Sequence, residues 1–251
     1  YDWEYDKRFS QYKSNVEARD SIIQTMIENG LKSAKDLKPV KLAFGQSKGE
    51  GVASNRIDKN APVDDLISSI FLIGEKGLPI WTIVNYACHP TVLGADNLYV
   101  SSDYPGVVQR LMEEHFGEDS LCMFINGACG NQSTRFTRKS QDFDEVKRLG
   151  SLLFESLLKA YENKTEIEDF TLGGVKEYFE FPRKQLPDKE EAVKHYQFMT
   201  DKLNKAKKNK ELSPEELRGI ITKHQGAGIT LKLLEVLDEI DLRAPIQLLR
   251  L

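Results

Sequence analysis

The chain is short of the residues from which metal and thiol chemistry is usually assembled. Its 251 residues include only three cysteines and four histidines. Cys88, Cys122 and Cys129 are odd in number and form no CxxC pair, which argues against a disulfide framework and a cysteine-rich zinc site. No two histidines stand at HxH or HExxH spacing, so there is no local zinc motif. No apolar run approaches the roughly 20 residues of a membrane span, so no transmembrane segment is expected. Lys and Arg number 35 against 39 Asp and Glu, with the two signs interleaved. Such a balance argues against nucleic acid as the main partner. Internal repeats and low-complexity linkers are absent. No signal peptide is visible, but Tyr1 is not a natural start; the cytoplasm is favoured as compartment, with export left open.

What is there reads as an α/β chain: a mixed β-sheet flanked by helices, with a C-terminal helical segment. At this length it holds one large domain, or one domain with an appendage. We divide it into an α/β core, residues 1–187, and a helical appendage with a returning strand of the same domain, residues 188–251. Residues 5–36 predict a helix, with Val16, Ile22, Ile23, Met26, Ile27 and Leu31 near a 3.6-residue period. A short strand follows over Val40–Gly45, then a turn-rich loop over Gly45–Gly51. Asp64–Ile73 and Ile80–Ala87 predict antiparallel neighbours joined by a hairpin-like turn at Gly74–Gly77, which makes the sheet mixed. Val108, Leu111, Met112 and His115 mark a helix entered through Ser102, Asp103 and Pro105. Leu121–Asn126 is the next strand. Asp144–Glu162 is the clearest helix, with Val146, Leu149, Leu153, Leu157 and Ala160 on one face. Thr171–Phe181 reads as a strand. Residues 188–241 read as two or three helices, including a capping box at Ser213-Pro214-Glu215-Glu216 and surface histidines at His195 and His224. Pro245–Leu251 returns to strand character.

The chemistry concentrates where two buried strands end. Ile80–Ala87 runs into Cys88-His89-Pro90-Thr91, and Leu121–Asn126 runs into Gly127-Ala128-Cys129-Gly130-Asn131-Gln132-Ser133. Carboxyl ends of strands are where α/β proteins usually place ligand sites. His89 is held in extended backbone by Pro90 and suits a metal ligand, a general base or a structural role. The glycines of the second loop let N–H groups converge on an anion or oxyanion. Ser133 offers a nucleophile or a hydrogen bond to substrate. The loop is neither a GxSxG elbow nor a Walker loop. Asp103 either caps the following helix or holds the second ring nitrogen of His89. Arg56 is either a salt-bridge partner or an oxyanion binder. Cys122 is a small core residue, and Cys129 is a candidate thiol.

Taken in order, Asn55-Arg56, Asn85-Tyr86-Ala87-Cys88-His89-Pro90-Thr91, Ser101-Ser102-Asp103-Tyr104-Pro105-Gly106 and Gly130-Asn131-Gln132-Ser133 resemble the neutral/alkaline non-lysosomal ceramidase family. The resemblance covers residues 40–160 well and the flanks loosely. It implies a zinc-dependent hydrolase of an N-acyl amide bond, releasing a fatty acid and an amine such as a sphingoid base from a small-molecule or lipid amide. It implies a zinc held by two His, a Glu and a Tyr, of which His89 is the second His. It places Ser133 on the family's active-site serine and Arg56 on an arginine lining the site, and we assign substrate contacts to Gly130, Asn131 and Asp103. A Thr-His-Thr-His-Ser-Gly element is missing here, the Glu and Tyr ligands are missing, and Thr134 follows Ser133 where ceramidases carry Pro. These departures predict a central fragment, with strands from Val40 and Ile246 pairing with missing flanks, little zinc bound and no activity alone. Two rivals stand beside this reading. One is a non-catalytic binding or scaffold module with the 188–241 helices as partner surface. The other is a metal-independent serine hydrolase using Ser133 and His89.

Overall fold

The computed structural model describes residues 16–94, 96–168, 171, 173–180, 185–209, 211–236 and 243–250. It falls into two compact units, residues 1–169 and 170–251. The first opens with α1 (Val16–Ser33) and continues through β1 (Lys41–Lys48), β2 (Ser54–Asn55), β3 (Leu66–Ile73) and β4 (Pro79–Tyr86). It proceeds through α2 (Asp103–Phe116), β5 (Leu121–Asn126), β6 (Gln132–Ser133), α3 (Phe143–Glu162) and β7 (Thr165–Ile167). The second unit contains β8 (Gly173–Glu180), α4 (Lys189–Lys208), α5 (Pro214–Val236) and β9 (Arg243–Arg250). Among the described residues no helix is long and apolar enough to cross a membrane.

The main sheet has the order β5-β4-β3-β1-β7. β3 and β4 form the expected hairpin, closed by Gly77 at φ 76 and by the Gly74 N–H donating to the Leu78 carbonyl at 3.0 Å. A left-handed turn position of this kind suits glycine because it carries no Cβ. β4 and β5 run parallel, and the remaining pairs are antiparallel, so the sheet is mixed. β1 extends to Lys48 rather than breaking at Gly45. Its Gly45 passes directly under α3, where an added Cβ would meet the Ala160 carbonyl. Glycine there belongs to close packing and not to a turn. β1 also lies between β3 and β7, and β9 pairs with β8. The expectation of an absent flanking partner is therefore corrected for β1, whose two edges are both filled, while β9 has a strand on one edge among the described residues.

One face of the sheet carries the core. α3 packs on β1 and β3, α2 packs on β5, and the two helices pack on each other. Between them lie Ala43, Phe71, Val84, Tyr86, Tyr104, Val108, Met112, Leu149, Leu153 and Leu157, all fully buried. Val146, Leu149, Leu153, Leu157 and Ala160 form the buried stripe of α3 that the periodicity predicts. The other face is open over β4 and β5, while Leu42 on β1 is 4% exposed. Its cross-strand rows run Leu42, Leu72, Trp81, Leu121 and then Phe44, Ile70, Ile83, Met123. A polar third row, Gln46, Ser68 and Asn85, ends at Ile125. Leu121 is 60% and Met123 43% exposed. The apolar runs of β4 and β5 predict strands buried on both faces, and the structure covers only one.

α1 forms as predicted over its described length, while residues 5–15 lie outside the described residues. None of its residues is buried. In the second unit α4 and α5 pack together through Ala192, Met199, Leu203 and Ala227. The capping box is present: the Ser213 N–H donates to the Glu216 carboxylate at 2.9 Å and the Glu216 N–H donates to the Ser213 hydroxyl at 3.2 Å. His224 is not a free surface histidine. Its Nε2 lies 3.1 Å from the Thr200 hydroxyl and its ring stacks obliquely on Tyr196, so it ties the two helices.

The start of α3 is locked by charge. Asp142 accepts the Glu145 N–H at 2.9 Å. The buried Glu145 carboxylate takes Arg148 Nε at 2.8 Å, Nη2 at 2.6 Å and the Lys139 N–H at 2.8 Å. The Arg148 hydrogen bonds, followed by that of Lys139, hold the Glu145 carboxyl below its ordinary range. A depressed carboxyl stabilises the fold above the unfolded-state pKa, and that contribution is lost as pH falls through the folded-state value. We expect the urea midpoint to fall between pH 6 and pH 3, and Glu145→Gln to lower it at pH 6 and shrink the fall. An identical pH dependence in the variant would show that this clasp contributes nothing.

Candidate functional site

Because β4 and β5 are parallel, both end at one edge of the sheet, at the pair Tyr86 and Asn126. The loops leaving them stay together. The Gly127 N–H donates to the Tyr86 carbonyl at 3.0 Å, and a Cβ on Gly127 would crowd Ala87 at 3.1 Å, so the close approach favours glycine. Further on, His89 and Ser133 form a single parallel bridge, with the His89 N–H donating to the Gln132 carbonyl at 3.1 Å. β6 pairs on its other side with β2, matching Ser54 to Ser133 and Asn55 to Gln132. Three stretches distant in sequence, around residues 54–56, 87–93 and 130–135, therefore share one rim.

Arg56 reaches across this rim. Its N–H donates to the Asn131 carbonyl at 2.8 Å, and its guanidinium donates from Nε at 3.0 Å and Nη2 at 2.6 Å to the Gly130 carbonyl. It is exposed and fastens the glycine loop rather than a carboxylate. The N–H groups of Gly130 and Asn131 take no acceptor among the described residues, and both residues are exposed. Ser133 is 5% exposed; its hydroxyl accepts the Arg135 N–H at 3.3 Å and its carbonyl accepts the Ser54 hydroxyl at 2.8 Å. His89 is half-buried. No hydrogen bond joins its ring to Ser133 or Asp103 among the described residues.

The His89 loop is held on both sides by two consecutive residues at the start of α2. The Tyr104 hydroxyl donates to the Cys88 carbonyl at 2.6 Å, just before His89. Asp103 Oδ2 accepts the N–H groups of Val92 at 3.0 Å and Leu93 at 3.2 Å, just after it. Asp103 Oδ1 accepts the Tyr104 N–H at 2.8 Å, so the carboxylate serves the first turn of the helix and the loop, not the imidazole. Asp103 has φ 54, in the left-handed region that an L side chain occupies at a cost. Gln132 adds a third clamp: Nε2 donates to the Ala87 carbonyl at 2.8 Å and Oε1 accepts the Asp64 N–H. Neither Tyr104 nor Gln132 is singled out by sequence reasoning, because a tyrosine in a helical first turn and an amide after a glycine loop carry no periodic signal.

Two of the three thiols are held in the protonated form. Burial pushes Cys88 and Cys122 up to about 12, so both are protonated at neutral pH. Cys129 is buried, with the Asn126 Nδ2 3.2 Å from its sulfur. Among the described residues no three His, Cys, Asp or Glu side chains gather into a metal-holding group. The donors described here therefore do not fit a complete zinc site; His89 is the imidazole they offer at this rim. A cavity of about 700 Å³ lies at the opposite end of the sheet, bordered by Lys38, Pro39, Leu72, Trp81, Phe116 and Leu121, and shares no residue with the rim.

No family model matches the sequence, and no curated protein matches it. Among solved structures, a ceramidase complexed with C2 aligns with a TM-score of 0.48 at 16% identity, over 58% of this chain and 26% of that one. Neutral ceramidase from Pseudomonas aeruginosa aligns with the same score and coverage at 17% identity. The chain thus spans about a quarter of the length of the structures it matches.

Removing the Asp103 carboxylate should orphan two loop N–H groups that it now satisfies. We expect Asp103→Ala to lower unfolding free energy by about 1–3 kcal/mol, since an unsatisfied buried donor costs that much. Asp103→Asn should cost less, because Asn keeps an acceptor and tolerates left-handed backbone. Equal losses for the two variants in urea titrations would remove the carboxylate from this account.

Proposed function

We propose that the chain is part of a ceramidase-like hydrolase of N-acyl amide bonds, acting on a small-molecule or lipid amide. The observation that carries this reading is the parallel bridge between His89 and Ser133, which brings the His-Pro-Thr and Gly-Asn-Gln-Ser elements onto one rim. The resemblance in motif order supports it. So does the chemistry of the loop. Hydrolysis of an amide places negative charge on the carbonyl oxygen in the transition state, and fixed donors aimed at that oxygen lower the barrier. The unbonded N–H groups of Gly130 and Asn131 are such donors, and the Arg56 guanidinium adds positive charge beside them. Ser133 is assigned a hydrogen bond to the substrate, and Asp103 acts by fixing the loop that carries His89.

In this reading His89 is one ligand of a zinc ion in the full-length protein, the remaining ligands lying beyond the donors described here. Zinc, when bound, would supply Lewis-acid polarisation of the amide and an activated water. The reading assigns the chain's own residues to positioning His89, receiving the oxyanion and orienting the acyl group.

In the full-length protein, His89→Ala is expected to remove bound zinc, measured by elemental analysis, and to lower hydrolysis of an N-acylsphingosine by at least ~100-fold, in the range seen when a positioned catalytic group is lost. Ser133→Ala should lower turnover with zinc retained. Wild-type zinc content and turnover in the His89 variant would overturn the proposal. Activity that survives a chelator but not Ser133→Ala would instead favour a metal-independent serine hydrolase.

A further inference from the structure

The first unit exposes two apolar surfaces. One is the open sheet face, where Phe44, Trp81, Leu121, Met123 and Ile125 are all 36% exposed or more. The other is α1. At 100° per residue, Val16, Ile23, Met26, Ile27 and Leu31 fall on one side of that helix. These five are between 47% and 69% exposed. A helix with an apolar stripe is a natural cover for an apolar sheet face, as α2 and α3 show on the reverse side. The linker after α1 brings Lys38 and Pro39 to the Trp81 and Leu121 end of the open face, so the helix departs from the margin of the surface it would fit. Among the described residues nothing buries any residue of α1.

We propose that two copies of this chain exchange their first helices, each laying α1 across the open sheet face of the other. Area decides between this and simpler pairings. An 18-residue helix is about 27 Å long and, at a width of about 10 Å, covers roughly 270 Å² on each side of the contact. One such contact removes about 540 Å² in total, within the range of incidental packing, whereas two reciprocal contacts remove about 1,100 Å², which reaches the size of a specific interface. Sheet against sheet, about four strands wide and three rows deep, gives about 800 Å² in total and leaves α1 bare. Reciprocal exchange also closes on itself as a two-fold dimer. One-way docking of unlike surfaces would instead propagate into open chains.

The test uses the full chain and two charge insertions on exposed positions away from the packed core, Ile27→Glu on the helix and Met123→Glu on the sheet. Light scattering after gel filtration should show a dimer for the wild type and a monomer for each variant. Mixing the two variants should leave them monomeric, because only one of the two contacts, about 540 Å² in total, is then intact. Circular dichroism melts confirm that each variant is folded, and Ile27→Ala or Met123→Ala replaces the corresponding glutamate variant where it is not. A wild-type monomer would overturn the proposal; if its α1 amides are protected from hydrogen exchange, the helix folds onto its own sheet. A dimer sensitive to Met123→Glu but indifferent to Ile27→Glu would also overturn it, in favour of sheet-to-sheet pairing. Variants that dimerise on mixing would show that one contact suffices and would overturn the reciprocal exchange.

Discussion

The carboxamide of Gln132, 2% exposed, bonds in two directions inside the molecule, to the carbonyl that precedes the His89 turn and to the N–H that precedes β3. Its own backbone carbonyl takes the His89 N–H. A buried polar group is tolerated only when its donors and acceptors are satisfied, and here satisfaction requires that the two loops and the lead into β3 lie in fixed positions. The placement of the rim follows from that requirement. Tyr104, Asp103 and Arg56 extend the same device, each bonding loop backbone instead of another side chain. The rim is therefore a backbone scaffold stiffened by side chains, with His89 half-buried and the N–H groups of Gly130 and Asn131 without an acceptor among the described residues.

Much of the fold was legible because it rests on periodicity. The α3 stripe from Val146 to Ala160, the hairpin at Gly74–Gly77 and the mixed sheet all follow from spacing and turn chemistry. The capping box at Ser213 was legible for the same reason, being a local pattern with a local cause. Less legible were features set by distant partners. Gly45 signals a turn until Ala160 is found above it. His224 resembles a surface histidine until Thr200 is placed beside it. Of the site, sequence order alone nominated His89, Ser133, Arg56 and Asp103, and the bridge between residues 89 and 133 puts the first two side by side. The bonds that hold them come from Gln132 and Tyr104, whose importance is visible only once residues 45 and 16 positions away are in contact.

The two faces of the sheet obey different rules. On the helix side, small and large residues alternate so that α2 and α3 sit close, with Gly45 and Ala43 under α3 and Cys122 near α2. Dense packing of this kind specifies one arrangement. On the open side, two rows of large apolar residues meet a third, polar row in which Gln46 bonds Ser68 at 3.0 Å and Asn85 bonds the Ile125 carbonyl at 3.1 Å. An antiparallel sheet with one wet face usually alternates polar residues there. The first two rows do not, and burying a side chain of that size contributes about 1.5–3 kcal/mol. The open face is thus a reserve of unspent hydrophobic area bounded by a polar border near the rim.

The one parallel pairing in the sheet has a consequence in time. β1, β3 and β4 join through short-range antiparallel contacts, whereas β5 reaches β4 only after the whole α2 crossover is in place. Contacts between distant segments form late, because closing long loops costs entropy before any contact repays it. Folding kinetics would therefore complete the β4–β5 seam, and with it the junction of the two loops, after the β3–β4 hairpin, and a nascent or partly unravelled chain would keep its hairpin while having no assembled rim.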